Sequence, residues 1–231
     1  MLSDNKRKFG LNASAIKYLA CLFMLLDHIG MLLLPDCLAL RGVGRLAFPL
    51  FAFMIANGYR HTSAPRRYLL RLILFAVGFQ WLCSRIVAPG TLNIFATLAL
   101  GLAAIWLADI LLRQISHPVW ARLSALLTTA LIALLAQLIH CDYGWYGIAL
   151  IFSSWLFFNG HSRLSLAWLL LTAAYSWDLG WPFGGLQMMA LLALPLIYIY
   201  NGARGNSPRW FFYVFYPAHL FLLYAIGLWL F

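Results

Sequence analysis

Apolar runs of roughly 16–22 residues follow one another along almost the whole chain, broken only by short stretches of Pro, Gly and charge. No water-soluble fold can hide so many such runs, because most of a folded surface still has to be covered. Composition agrees: 64% of the 231 residues are hydrophobic and 10% charged, where soluble domains are about a quarter charged and under half apolar. A soluble enzyme, a disordered chain and a disulfide scaffold are all excluded. Runs of this length suit helices crossing a hydrocarbon core of about 30 Å, not barrel strands of about 10 residues. The expected fold is therefore all-α, a polytopic membrane helix bundle.

Punctuation predicts about nine spans, at roughly 14–34, 43–60, 69–88, 92–112, 121–140, 144–159, 163–178, 185–200 and 211–230. The sixth and seventh are short, and eight spans result if two of the short ones merge. No repeat, linker or low-complexity tract appears, so residues 1–231 read as a single membrane domain. KRKFG followed by an apolar run resembles a signal peptide, but the small Ala13-Ser14-Ala15 cluster precedes the run, so the first span is expected to stay uncleaved.

Sixteen Lys and Arg face six Asp, and there is no Glu. With the N-terminus in the cytosol, cytosolic segments hold Lys6, Arg7, Lys8, Arg60, Arg66, Arg67, Arg71, Arg113, Arg122, Arg163, Arg204 and Arg209. The opposite side keeps Arg41, Arg45 and Arg85. Twelve against three follows the positive-inside rule and requires an odd number of spans. The basic excess thus marks a membrane face and implies no nucleic acid. The four cysteines (21, 37, 83 and 141) show no metal spacing, and Cys37 and Cys141 fall near the non-cytosolic side.

Ionisable residues inside the spans each cost about 2.5–3.5 kcal/mol at a helix centre and so need a reason. Lys17 and His28, eleven residues apart, share one helix face about 16 Å apart. Lys17 can snorkel to the cytosolic border or line an inward cavity with His28. Asp27 adjoins His28. Arg45, in GRLAFPLFAFMIANGYRHT, enters its span near the depth of His28 and can pair with Asp27, and Pro49 is expected to kink that helix. Asn57 and His61 share a face at its cytosolic end. Arg60, His61, Arg66, Arg67 and Arg71 then form the most basic loop, either a topology signal or a holder of phosphates. In FYPAHL, Tyr216 and His219 lie almost one turn apart, with His219 near mid-membrane. Asn93 with Thr97, and Tyr143 with Tyr146, are weaker candidates for a polar site or for packing.

Zincin, nucleophile-elbow, Walker and dinucleotide-binding motifs are all missing. With few Asp and no Glu, a carboxylate-bound metal site is not expected. What remains is a cavity lined by cations and imidazoles.

At these residues the sequence resembles the TraX family, membrane proteins named for the acetylase of F-type conjugative pilin. The likeness covers roughly residues 14–226. It rests on LDHIG (26–30), GRLAFPLFAFMIANGYRHT (44–62), NIFATLALGL (93–102), YGWYGI (143–148), the stretch 190–205 and FYPAHL (215–220). TraX is similar in turn to the acyltransferase-3 proteins, whose first helix carries a basic residue, ten positions and then His; Lys17-x10-His28 has that spacing.

The resemblance implies transfer of an acetyl group from acetyl-CoA to an amine or hydroxyl of a pilin-like peptide, glycan or other envelope molecule, in the bacterial inner membrane. On that reading His28 is the general base, oriented by Asp27 or a carbonyl, and Arg45 stabilises the oxyanion. His219 and Tyr216 bind the acceptor or donate a proton, with Asn93 and Tyr146 as further substrate contacts. Lys17, Asn57, His61, Arg66 and Arg67 hold the phosphates of acetyl-CoA. Two other readings stay open: a small-anion transporter with a His/Arg-lined cavity, and an assembly scaffold for a surface appendage.

Overall fold

The computed structural model describes residues 9–86, 89–206, 208 and 210–230. Lys6, Arg7, Lys8 and Arg209 of the charge count lie outside the described residues. The helices are α1 (Ala13–Leu32), α2 (Leu38–Gly44), α3 (Ala47–Arg60), α4 (Pro65–Ile86), α5 (Ile94–Gln114) and α6 (Pro118–Leu138). They continue with α7 (Gly144–Leu156), α8 (His161–Leu179), α9 (Phe183–Gln187), a 3₁₀ turn (Met188–Leu192), α10 (Ala193–Tyr198) and α11 (Phe211–Leu230). Among the described residues there is no strand, only two isolated bridges. The chain is a polytopic helical membrane protein.

Taken with α2–α3 as one segment and α9–α10 as another, these helices fall into nine segments that overlie the nine expected spans. Six of them are long and apolar enough to cross a bilayer: α1, α2–α3, α4, α5, α6 and α11. The segments α7 and Phe183–Tyr198 are apolar but shorter. Helix α8 has the length but carries His161, Arg163 and Asp178.

The second span differs from expectation. It starts at Leu38, not 43, and its break falls at Arg45–Leu46, where Arg45 and Leu46 donate to the carbonyls of Gly42 and Val43, three residues back. Pro49 does not kink it. Pro49 is the third residue of α3, a position whose N–H has no helical acceptor anyway.

The chain sorts into two compact units. The first, residues 1–54 and 172–231, packs α1 against α2 and α11. Two glycines bring α1 and α2 together. A Cβ on Gly44 would stand 2.6 Å from Asp27 Oδ1 and 2.7 Å from its Cα, and one on Gly30 would stand 2.9 Å from Leu40 Cβ. Backbone approach this close is what small residues permit between membrane helices. Asp27, about 21 Å along α1 at 1.5 Å per residue, then meets two guanidiniums. Arg41 Nη1 is 2.9 Å from Oδ2 and Arg45 Nη2 is 3.2 Å from Oδ1. All three side chains are less than a fifth exposed. In hydrocarbon the carboxylate and the arginines are tolerable only because each neutralises the other.

Helices α1 and α11 run parallel. Tyr18 meets Phe211 and Phe212, while His28, ten residues further, meets Tyr216 and His219. The entry to α1 is laced to the segment before α11. Leu11 N–H donates to Ile199 O, Asn201 N–H to Leu11 O and Ala13 N–H to Ala203 O, and Asn12 Oδ1 caps α1 by accepting from Ala15 N–H.

The second unit, residues 55–171, builds on α5, which packs on α4, α6 and α7. Gly101 admits Ile151, whose Cβ would lie 3.1 Å from a Cβ at that glycine. Asp109 accepts from Tyr59 Oη at 2.7 Å and from Arg113 Nε at 3.1 Å. Cys141, in the turn between α6 and α7, is 7% exposed and its thiol is pushed up to about 11 by burial. Cys21, Cys37 and Cys141 are free thiols.

Two outcomes follow. Parallel α1 and α11 require an odd number of crossings, so fused reporters should place the N-terminus in the cytosol and the C-terminus across the membrane; both termini on one side would contradict the packing. Asp27→Ala strands two arginines and should cost about 3–5 kcal/mol, and Gly44→Ala about 1–3 kcal/mol by overpacking. Both are readable as lowered unfolding midpoints in detergent, and a wild-type midpoint for Asp27→Ala would show that the clamp carries no stability.

Candidate functional site

Next to the clamp, α1 and α11 bring two imidazoles into direct contact. His28 Nδ1 and His219 Nε2 are 2.6 Å apart, with ring centroids 4.9 Å apart and nearly parallel. His219 Nδ1 is 2.6 Å from the carbonyl oxygen of Phe215, one helical turn back. His28 is 7% exposed and His219 5%.

Hydrogen-bond arithmetic sets the tautomers of the neutral pair. A carbonyl can only accept, so His219 Nδ1 carries the hydrogen and donates to Phe215 O. His219 Nε2 is then an acceptor, so His28 Nδ1–H donates to it. The remaining nitrogen, His28 Nε2, carries a lone pair. A carbonyl, one imidazole and a second imidazole thus form a relay that ends on a basic nitrogen. The Phe215 ring stacks on His219 at 4.9 Å, and Tyr216 lies 6.1 Å from the His28 ring and 5.9 Å from that of His219. Tyr216 is 5% exposed. The site is nearly closed to solvent and its rings are held on several sides.

This geometry corrects one expectation. Asp27 does not orient His28: its carboxylate is taken by Arg41 and Arg45, and the ring of His28 is held by His219. Neighbouring residues on a helix point about 100° apart, so one helix presents the carboxylate to α2 and the imidazole to α11. Arg45 pairs with Asp27 as expected. Arg41 went unrecognised, counted only as a loop charge on the non-cytosolic side. Its i, i+4 spacing from Arg45 was the available signal, since two arginines on one helix face can share a carboxylate. One carboxylate between two guanidiniums leaves net positive charge beside His28. Lys17 is half-buried three turns before His28, its ammonium 5.2 Å over the Phe212 ring.

The remaining candidates lie in the second unit. Asn93 is 4% exposed and spent on the fold: its Oδ1 accepts from Phe95 N–H, capping α5, and its Nδ2 donates to Ala76 O and Gln80 Oε1. Thr97 donates to the Asp142 carbonyl. Tyr146 is fully buried, ringed by Tyr143 and Trp145. These packing and capping roles account for Asn93 and Tyr146, the two expected substrate contacts that lie in this unit; the third, Tyr216, lies beside the imidazole pair. His61 Nδ1 lies 2.8 Å from the Asn57 carbonyl, so it donates there and closes the end of α3, while the Asn57 side chain is buried. Arg66 and Arg67 are exposed in the first turn of α4. Among the described residues no group of His, Cys and Asp could hold a metal.

A family model described as TraX protein matches residues 12–227. The chain is 29% identical over 246 aligned positions to a probable fimbrial assembly protein FimC, serogroup H1, of Dichelobacter nodosus, covering 94% of this chain and 96% of that one. It is 32% identical over 80 positions to the uncharacterized protein RP591 of Rickettsia prowazekii (strain Madrid E), covering 35% of this chain and 29% of that one. No solved structure matches. The family match takes in the clamp, both imidazoles and the helices that carry them: the chain belongs to the TraX family.

Proposed function

We propose that the protein is a membrane-embedded acetyltransferase that moves an acetyl group from acetyl-CoA to an amine or hydroxyl of an envelope molecule. The observation that carries this reading is the relay from the Phe215 carbonyl through His219 to His28, which leaves His28 Nε2 as a fixed, desolvated base. A lone core histidine would need no such chain of partners.

In the reaction, His28 Nε2 takes the proton from the acceptor as its nitrogen or oxygen attacks the thioester carbonyl. His219 shares the charge that develops on the first ring, as a histidine's hydrogen-bonded partner does in other acyl transfers. The oxyanion of the tetrahedral intermediate forms beside the Asp27–Arg41–Arg45 cluster, whose net positive charge counts for more in a water-poor site. Collapse breaks the C–S bond. The CoA thiolate recovers the proton from His28, and the products are acetylated acceptor and free CoA. Tyr216, which neighbours both imidazoles, contacts the acceptor in this reading. The TraX membership and the relative named for fimbrial assembly favour a pilin-like acceptor and the bacterial inner membrane.

Full-length protein in nanodiscs, supplied with radiolabelled acetyl-CoA and an envelope extract, tests this. His28→Ala should lose about 10²–10⁴-fold in rate, the usual worth of a general base. His219→Ala should lose most of that, and His219→Gln less, because its amide oxygen can still accept from His28 Nδ1–H. The exposed His117→Ala should leave the rate unchanged. Acid must protonate the pair and end base catalysis, so the rate should fall on the acid side and recover as pH rises. Wild-type transfer by correctly folded His28→Ala overturns the proposal. So does anion flux in proteoliposomes that needs His28 but no acetyl-CoA, which would establish the transporter reading instead.

A further inference from the structure

The second unit holds a cavity that the acetyl-transfer reading does not use. It measures about 630 Å³ and is open to the outside, within the roughly 300–1,000 Å³ typical of small-molecule sites. It forms where the end of α3, the turn after α7 and the start of α8 meet. Arg60 comes from the first, Phe158 and Asn159 from the second, and His161, Ser162 and Arg163 from the third. Among the described residues, no acidic one lines it.

The lining has a consistent chemistry. The Arg60 guanidinium lies over the Phe158 ring, 4.6 Å from its centroid. Cation–π attraction to the ring uses none of the guanidinium's N–H groups as hydrogen-bond donors. Arg163 brings a second guanidinium from a separate helix, His161 an imidazole, and Ser162 and Asn159 short neutral donors. The first-turn amides of α8 add to the same field. Two guanidinium forks suit the tetrahedral oxygens of a phosphate, which Arg binds bidentately. The space exceeds that of a bare phosphate, and Leu156, Phe157 and Phe158 make one wall apolar. The occupant is therefore a phosphate on a larger body with an apolar or aromatic part.

We propose that this cavity is a binding site for such a phosphate ester, made by Arg60, His161, Ser162 and Arg163. This differs from the placement of phosphates on Arg66 and Arg67, which do not line the cavity. The chemistry has two sources, the headgroup of an anionic phospholipid at the basic membrane face and the phosphates of a soluble nucleotide. The proposal stands apart from the acetyl-transfer reading, because neither imidazole of that site takes part.

Two arms separate the sources. In one, full-length protein in nanodiscs of phosphatidylglycerol or phosphatidylcholine is examined by native mass spectrometry for retained lipid. In the other, adenosine 3′,5′-bisphosphate is titrated calorimetrically into protein held in phosphatidylcholine. Wild type should retain phosphatidylglycerol selectively, or bind the nucleotide with an affinity that falls as salt rises. In either arm the double variant Arg60→Gln with Arg163→Gln should weaken the interaction at least tenfold. Arg122→Gln with Arg204→Gln, which removes the same charge at two exposed arginines outside the cavity, should leave it within about twofold. The proposal is overturned if wild type binds neither probe. It is overturned equally if the Arg60/Arg163 variant, shown folded by an unchanged melting curve, binds as wild type does, or if the Arg122/Arg204 variant is weakened as much.

Discussion

A carboxylate in hydrocarbon must be neutralised, and the site of this protein is arranged around how Asp27 meets that demand. Arg41 and Arg45 close on it from one face of α2, and Gly44 and Gly30 let the two backbones come near enough for short contacts. The pairing does more than offset a cost. It holds α2 against α1 at a set rotation, and that rotation turns the next residue, His28, toward α11. Once Asp27 is committed to the arginines, His28 must find its partner elsewhere, and His219 supplies it.

The relay that results differs from a carboxylate–histidine arrangement in one physical respect. A carboxylate would bring a negative charge into the site, which then favours imidazolium permanently. A neutral imidazole anchored on a backbone carbonyl fixes the tautomer of His28 just as firmly without that charge. The positive cluster next to it then faces a neutral imidazole, an arrangement that suits the proposed acetyl transfer, whose intermediate is an anion.

Much of this was legible in the residues, and the limits are instructive. The nine helical segments lie close to the boundaries set by Pro, Gly and charge, because a bilayer demands long apolar helices and tolerates little else. Asp27, His28, Arg45 and His219 stood out because ionisable groups are expensive at those depths. Pro49 misled, since a proline kinks a helix only from its interior and Pro49 falls in a first turn. Arg41 was hidden by its own plausibility as a flanking charge. Asn93 looked like a site residue because it is polar and lies at the start of an apolar helix, yet a cap has the same appearance in a sequence. Tyr146 is similar: an aromatic in the core and an aromatic in a binding site read alike until burial separates them.

The sequence alone determined that the chain is a helical membrane protein and which few polar residues need an explanation. These follow from the cost of placing each side chain in lipid, which depends on residue type and depth and hardly on partners. Which polar residue pairs with which was decided only by the tertiary structure. Asp27 sits next to His28 in the chain but bonds to residues 14 and 18 positions away, and His28 bonds to one 191 positions away. Such choices turn on helix rotation and on how closely glycines let backbones approach, and neither is written into any one stretch of residues.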